Sequence, residues 1–324
     1  MSVTVQIDGG EAFAFPPEED TLLRAGLRAG ADLPHECSVG GCGACRFDLL
    51  SGEMERLWPE APGLSERDRK RGKYLACQSR PLTDCTIKLR TSAEYHPVVP
   101  ARRRMAKLVE RRLLTRDMAE FSFHTGGAAA FLPGQYALLY PQGVAGARAY
   151  SMSNLANQGG AWQFIIRRTP SGRGSAALFE LAEGDEIPLD GPYGHAYFRA
   201  DSPREIVCIA GGSGLAPMLG IARAALPRTV WFFDGARTSA DLCGGELLGE
   251  VPGLTYRPVL SLPDSGWTGA TGFVHEEVAR ALPAPLDQYE YYFAGPPPMI
   301  EAIQSLLMVQ HRVPFTQIHF DRFV

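Results

Sequence analysis

The stretch His35-Glu36-Cys37-Ser38-Val39-Gly40-Gly41-Cys42-Gly43-Ala44-Cys45-Arg46 decides how the first third of the chain is read. Cys37, Cys42 and Cys45 are separated by four and then two residues, and Cys77 follows in Leu-Ala-Cys-Gln. A C-x4-C-x2-C run with a distant fourth cysteine is a spacing that holds a 2Fe–2S cluster. The interleaved glycines fit that purpose. A loop wrapped round a cluster needs unusual backbone angles and N–H groups turned toward sulfur. Zinc is the rival reading, since Cys42 and Cys45 alone would suit a zinc knuckle. Zinc sites usually pair two short motifs, however, and Cys77 has no such neighbour.

Around this loop the pattern is that of a small sheet with one helix. Val3, Val5 and Ile7 alternate with polar residues, Asp8-Gly9-Gly10 turns, and Ala12 to Phe15 returns as the second arm of a hairpin. Asp20-Thr21 caps a helix through Leu27 that stops near Gly30. Strands are expected at Phe47–Leu50, near Tyr74 and at Thr86–Leu89, with a short charged helix around Ser65–Arg71. A cluster carried in the loop of such a sheet is a ferredoxin-like plan.

The chain has 324 residues, and at ~150 residues per domain it divides into two or three. With 45% hydrophobic and 21% charged residues it has the composition of a folded globular protein. A net charge of -4 disfavours nucleic acid as a partner, and there is no apolar run of about 18 residues to span a membrane. The N-terminus lacks a signal-peptide pattern. Seven cysteines, four of them assigned to iron, fit a reducing cytoplasm rather than a disulfide framework. Cys85, Cys208 and Cys243 read as ordinary small residues.

His96-Pro97-Val98-Val99-Pro100 reads as a linker. Beyond it, Ala106–Leu113, Ala119–Phe123, Tyr136–Tyr140, Trp162–Arg167 and Glu186–Leu189 are short apolar segments punctuated by Gly and Pro, as in an antiparallel barrel. After Pro203 strands alternate with helices, beginning with the buried strand Ile206–Ala210, which argues a doubly wound parallel sheet. Expected domains are therefore 1–97, 98–201 and 202–324.

Gly211-Gly212-Ser213-Gly214 lies between that buried strand and a helix, where N–H groups and the positive helix end can hold a pyrophosphate. It departs from G-x-G-x-x-G because Pro217 takes the third position. The bland reading is a tight turn with no ligand. In the barrel segment, Arg148-Ala149-Tyr150-Ser151 offers a guanidinium fork, an aromatic face and a hydroxyl, and Gly172-Arg173-Gly174-Ser175 opens a helix. Neither says much alone.

Taken together, these three segments resemble the ferredoxin–NAD(P)H reductase family with a fused N-terminal plant-type ferredoxin. Leu57-Trp58-Pro59-Glu60-Ala61-Pro62-Gly63-Leu64 and Ile318-His319-Phe320-Asp321-Arg322-Phe323 further resemble reductase components of the toluene 4-monooxygenase group, which are multicomponent bacterial di-iron monooxygenases. The resemblance implies a β-grasp ferredoxin domain, a flavin-binding barrel and a nucleotide domain. It implies that Arg148 meets the FAD pyrophosphate, that Tyr150 lies on the isoalloxazine and that Ser151 reaches flavin N5. Gly174 and Ser175 would support the flavin phosphates, Gly211, Gly212, Gly214, Gly295 and Pro296 would frame NADH, and Phe323 would lie near the flavin face. Many relatives carry Cys-Gly-Pro-Pro where this chain has Ala294-Gly295-Pro296-Pro297. Asp234, at the end of the next strand, is expected to accept from a ribose 2′-OH and favour NADH, an inference that Arg237 three residues on weakens.

The implied activity is an NADH-dependent oxidoreductase passing electrons from NADH to FAD to 2Fe–2S and on to a Rieske-type ferredoxin of an aromatic monooxygenase. One alternative acceptor is a di-iron hydroxylase reached directly. A redox sensor without sustained turnover is the alternative of a different class. A cytoplasmic monomer without nucleic-acid or membrane partners is expected.

Overall fold

Period-two alternation in Val3–Ile7 and Ala12–Phe15 produces a hairpin whose inward residues Val5, Ile7, Phe13 and Phe15 are buried. The structure is a computed structural model that describes residues 2–323. It divides into two packed units, one made of Met1–Arg103 with Gly191–His195 and the other of Arg104–Asp190 with Ala196–Val324.

In the first unit the hairpin extends into a five-stranded sheet. Cys85–Lys88 pairs parallel to Val3–Ile7, Arg46–Ser51 pairs antiparallel to Cys85–Lys88, and Tyr74–Leu75 closes the edge. The helix Leu22–Arg28 starts where the Thr21 hydroxyl accepts the Arg24 N–H, and it lays Leu22, Leu23 and Leu27 into the core. Each buried leucine contributes on the order of 2 kcal/mol. The charged segment forms the helix Glu66–Lys70, held at its start by a reciprocal Ser65–Asp68 capping box. A two-stranded ladder between Met54–Arg56 and Ser79–Pro81 was not anticipated, being short and polar.

Next comes a six-stranded antiparallel sheet ordered Arg148–Ser151, Tyr136–Leu139, Glu186–Tyr193, Arg102–Leu113, Met118–Thr125, Ala161–Arg167. A bridge from Met152 to Phe164 joins its two ends, so the sheet curls into a barrel round Leu108, Phe121, Phe123, Leu139, Trp162 and Phe164. The buried indole N–H of Trp162 is satisfied by Thr125 Oγ1 at 3.1 Å.

A parallel six-stranded sheet follows, ordered Ala270–Thr271, Leu254–Leu260, Val230–Ala236, Glu205–Gly211, Tyr289–Gly295, Ile318–Arg322. Strand order reverses between Glu205–Gly211 and Tyr289–Gly295, which makes the crevice beyond their carboxyl ends the place for a ligand. After Val230–Ala236 the helical segment is broken into a single turn Ser239–Asp241 and the helix Gly244–Leu248, with the Gly244 backbone pressed against the Asp234 carboxylate. The C-terminal segment Ile318–Arg322 is an edge strand, a role its mixed residues did not advertise.

Candidate functional site

The cysteine loop brings its sulfurs together in two pairs. Cys45 Sγ and Cys77 Sγ stand 3.4 Å apart, both buried, and half-buried Cys37 lies beside Cys42. Cys37 Sγ accepts the N–H groups of Gly41 and Cys42, each at 3.3 Å. The hydrogen bond between the two thiols brings Cys37 down to about 5, with those backbone donors assisting, and pushes Cys42 up, so the pair holds one proton tightly and gives up the other readily. Thiolate is the form iron requires. Loop shape depends on Gly43. Its φ is +78°, and a Cβ there would lie 2.5 Å from the carbonyl oxygen of Gly63. Among the described residues no three His, Cys, Asp or Glu side chains gather as a single-ion site would require. Two pairs of thiolates instead suit two irons, so the donor set fits a 2Fe–2S cluster better than zinc.

In the barrel, Arg148, Tyr150 and Ser151 share one strand, paired in register with Tyr136–Leu139. The Arg148 side chain lies across Gly174, where a Cβ would come within 2.7 Å of its Cγ. This joins the arginine to the first turn of the helix Arg173–Glu180, whose leading N–H groups have no partner within the helix. Arg148 Nη1 donates to the carbonyls of Ala145 and Ala147 at 3.2 and 3.0 Å, which fixes the guanidinium. Ser175 Oγ accepts the Thr169 N–H at 3.2 Å and donates to Gly172 O at 3.1 Å, so it braces the turn. The Tyr150 ring is half-buried, and burial raises its hydroxyl to about 12, keeping it neutral. A cation, a helix start and a neutral aromatic face on one wall fit an FAD pyrophosphate and ring.

A cleft of about 570 Å³ opens at the switch point of the parallel sheet. Gly211, Gly212 and Pro296 line it. Gly214 sits behind them in the turn, where a Cβ would fall 1.9 Å from the Ala294 carbonyl oxygen, so the turn requires glycine. Gly295 O accepts the Phe323 N–H at 3.2 Å, which brings the C-terminus alongside this turn.

Asp234 is not brought to the cleft wall. It is 4% exposed, and its carboxylate accepts Tyr256 Oη at 2.8 Å and the Gly244 N–H. Burial raises its carboxyl to about 6. The cations on the wall are Arg116, Arg167 and Arg237, and the His275 imidazole lies on the same wall. Asp241 and Asp117 lie 3.5 Å from Arg116 and Arg167 respectively, whereas Arg237 has no acidic partner among the described residues. Sequence reasoning missed Arg116, Arg167 and His275. Arg167 was legible in principle, as a cation at the end of a barrel strand.

Three family models match the chain. They are a 2Fe-2S iron-sulfur cluster binding domain over residues 5–82, an oxidoreductase FAD-binding domain over 105–198 and an oxidoreductase NAD-binding domain over 208–305. The ferredoxin–NAD(P)(+) reductase CarAd of Metapseudomonas resinovorans is 43% identical, the alignment covering 94% of each chain. The ferredoxin–NAD(+) reductase component of the alkene monooxygenase system of Xanthobacter autotrophicus is 40% identical over 99% of this chain and all of its own. A solved ferredoxin reductase in carbazole 1,9a-dioxygenase superposes with a TM-score of 0.95 at 39% identity, covering 100% of this chain and 99% of that one. No helix among the described residues is long and apolar enough to cross a membrane. The paired cysteines, the Arg148 wall and the switch-point cleft thus belong to an oxidoreductase of the ferredoxin–NAD(P) reductase family, an electron-transfer component of oxygenase systems with 2Fe–2S, FAD and NAD domains.

Proposed function

We propose that this chain supplies a hydrocarbon monooxygenase with single electrons drawn from a nicotinamide nucleotide, and that a Rieske-type ferredoxin receives them. The observation that carries the reading is the presence in one chain of three sites that make sense only in series. FAD can take the electron pair of one hydride and release electrons singly, while a 2Fe–2S centre accepts one at a time. The residues divide the labour accordingly. The switch-point cleft binds and orients the dinucleotide, the Arg148–Gly174 wall holds the flavin phosphates with Tyr150 and Ser151 at the ring, and Cys37, Cys42, Cys45 and Cys77 hold iron.

Coenzyme choice is assigned to the cleft wall. Asp234 is engaged with Tyr256 and Gly244, so its support for NADH falls away. Unpartnered Arg237, just past the second strand of the nucleotide sheet, is suited to meet a 2′-phosphate. Use of NADPH beside NADH follows.

Reconstitution tests the acceptor. Purified reductase with a Rieske-type ferredoxin and a di-iron hydroxylase should oxidise a hydrocarbon at the expense of NADH. Turnover without the ferredoxin would establish direct donation to the hydroxylase. Absence of steady NADH-driven reduction of any acceptor would establish the sensor reading.

A further inference from the structure

The segment Leu57–Leu64 is used by none of the three sites, yet it is strapped across the cysteine loop. The Gly63 N–H donates to Gly40 O at 2.9 Å, and the Trp58 ring lies 3.1 Å from where a Cβ on Gly40 would stand. Trp58 nevertheless leaves 44% of its surface exposed, and Leu57 beside it 38%. An indole half open to water and packed on Gly40 of the cysteine loop offers an apolar body of the kind that anchors a protein partner.

The strap runs directly into the helix Glu66–Lys70, tied to the same loop by Arg46 Nη1 to Asp68 Oδ2 at 2.9 Å. Arg69 donates to the carbonyls of Ala61 and Leu64 at 3.3 and 2.7 Å, and Lys73 pairs with Asp48 at 2.9 Å. These contacts occupy Arg46, Arg69 and Lys73. Arg67, Lys70 and Arg71 remain, all exposed and without an acidic partner among the described residues. Glu60 and Glu66 are the exposed acids of the segment, so the surplus is positive in a chain whose net charge is -4.

We propose that Trp58 and the cations of Arg67–Arg71 form the docking face for the protein that takes electrons from the cluster, and that this protein presents an acidic surface with an apolar spot for the indole. The proposal rests on the reductase reading and specifies its exit. Electron transfer falls steeply with distance, so an acceptor has to sit beside the half-exposed side of the cysteine loop. In a short-lived complex an aromatic anchor sets the residence, and unpaired charge such as that on the helix following the strap sets the encounter rate. Interleaved Glu60 and Glu66 suit a folded acidic partner better than the continuous phosphate charge of a membrane or nucleic acid.

The test uses the full holoprotein and two haem-protein probes of opposite charge, acidic cytochrome b5 and basic cytochrome c. Ferricyanide reduction and the visible spectrum serve as controls for the flavin and the cluster. In wild type the rate with cytochrome b5 should fall as salt rises from 20 to 200 mM. Combined Arg67→Glu, Lys70→Glu and Arg71→Glu should raise KM for cytochrome b5 at least tenfold at 20 mM salt and leave cytochrome c no slower. Lys70→Glu alone should give a smaller change of the same sign, in case the triple variant folds poorly. Trp58→Ala should slow cytochrome b5 several-fold at either salt, and Trp58→Phe should recover most of the loss. An unchanged KM and salt slope in the charge-reversed protein would overturn the proposal. So would wild-type sedimentation with phosphatidylserine vesicles that the triple variant loses, since the face would then be a membrane contact. No ferricyanide reduction by wild type would bring down the reductase reading itself, and the docking face with it.

Discussion

In the cysteine loop the atoms that do the chemistry belong to side chains packed into nine consecutive residues plus Cys77. In the nucleotide cleft they belong to backbone turns and to arginines delivered from well-separated strands and loops. A metal centre therefore announces itself in local spacing, because thiolates have no substitute and a short loop has few ways to present three of them. A dinucleotide cleft is made by strand order, and successive residues along a strand face opposite layers. Asp234 and Arg237 illustrate the cost. They are three residues apart, and one is buried against Tyr256 while the other lines the cleft.

The sharpest way to break this comparison is to remove one thiolate. Cys77→Ser should abolish the visible 2Fe–2S absorption and lower reduction of protein acceptors more than a hundredfold, while FAD stays bound and ferricyanide reduction stays within twofold. Loss of FAD together with the cluster would show that the two sites do not stand independently. Ser151→Ala should cross this pattern, slowing every NADH-driven reaction with the cluster spectrum intact.

A backbone-made site should fail differently. Gly174→Val would push a branched side chain into Arg148, and FAD affinity should drop roughly ten- to a hundredfold, as loss of a charge-assisted contact of about 1.5–3 kcal/mol implies. Cluster absorption should be untouched. Retained flavin affinity, measured by fluorescence on dilution, would remove Arg148 and Gly174 from the flavin wall.

Coenzyme preference sharpens the comparison within the cleft. Arg237→Ser should lower kcat/KM for NADPH relative to NADH about tenfold and weaken binding of 2′,5′-ADP in parallel, whereas Asp234→Asn should leave the ratio within twofold. A ratio that moves with Asp234 and not with Arg237 would restore the assignment made from sequence.

The architecture was largely legible because its signals are periodic or punctuated. The Val3–Phe15 hairpin, the Thr21 cap, the barrel strands and the buried strand before Gly211 all follow from alternation, capping or apolar runs. What escaped was decided by tertiary packing. The broken helix after Thr238 follows from the Gly244 approach to Asp234, and Ile318–Arg322 becomes a strand because it pairs with Tyr289–Gly295. Arg116 reaches the cleft from the loop after Arg102–Leu113 and His275 from the first turn of the helix Val274–Ala281, and neither segment carries a nucleotide signature.

The smallest effect concerns the residue that sequence and structure place differently. Asp234 ionises near 6 in the folded chain against an ordinary value of 3.8, because burial disfavours its charge. A raised folded value means that the native state holds the proton more tightly than the unfolded state. The associated stability is therefore complete below about pH 4 and is lost as pH rises through about 6. Asparagine in its place cannot ionise and can still accept from Tyr256 Oη. Paired urea titrations, followed by tryptophan fluorescence from Trp231 and its neighbours, should show Asp234→Asn gaining roughly 1–1.5 kcal/mol on wild type between pH 5 and pH 7.5. Taking the difference between the two proteins cancels the other carboxylates, which lose stability in the opposite direction as pH falls. A difference that stays flat with pH would mean that Asp234 is already ionised at pH 5. Its carboxylate would then be in contact with water and within reach of a ribose, and the contrast drawn with Arg237 would collapse.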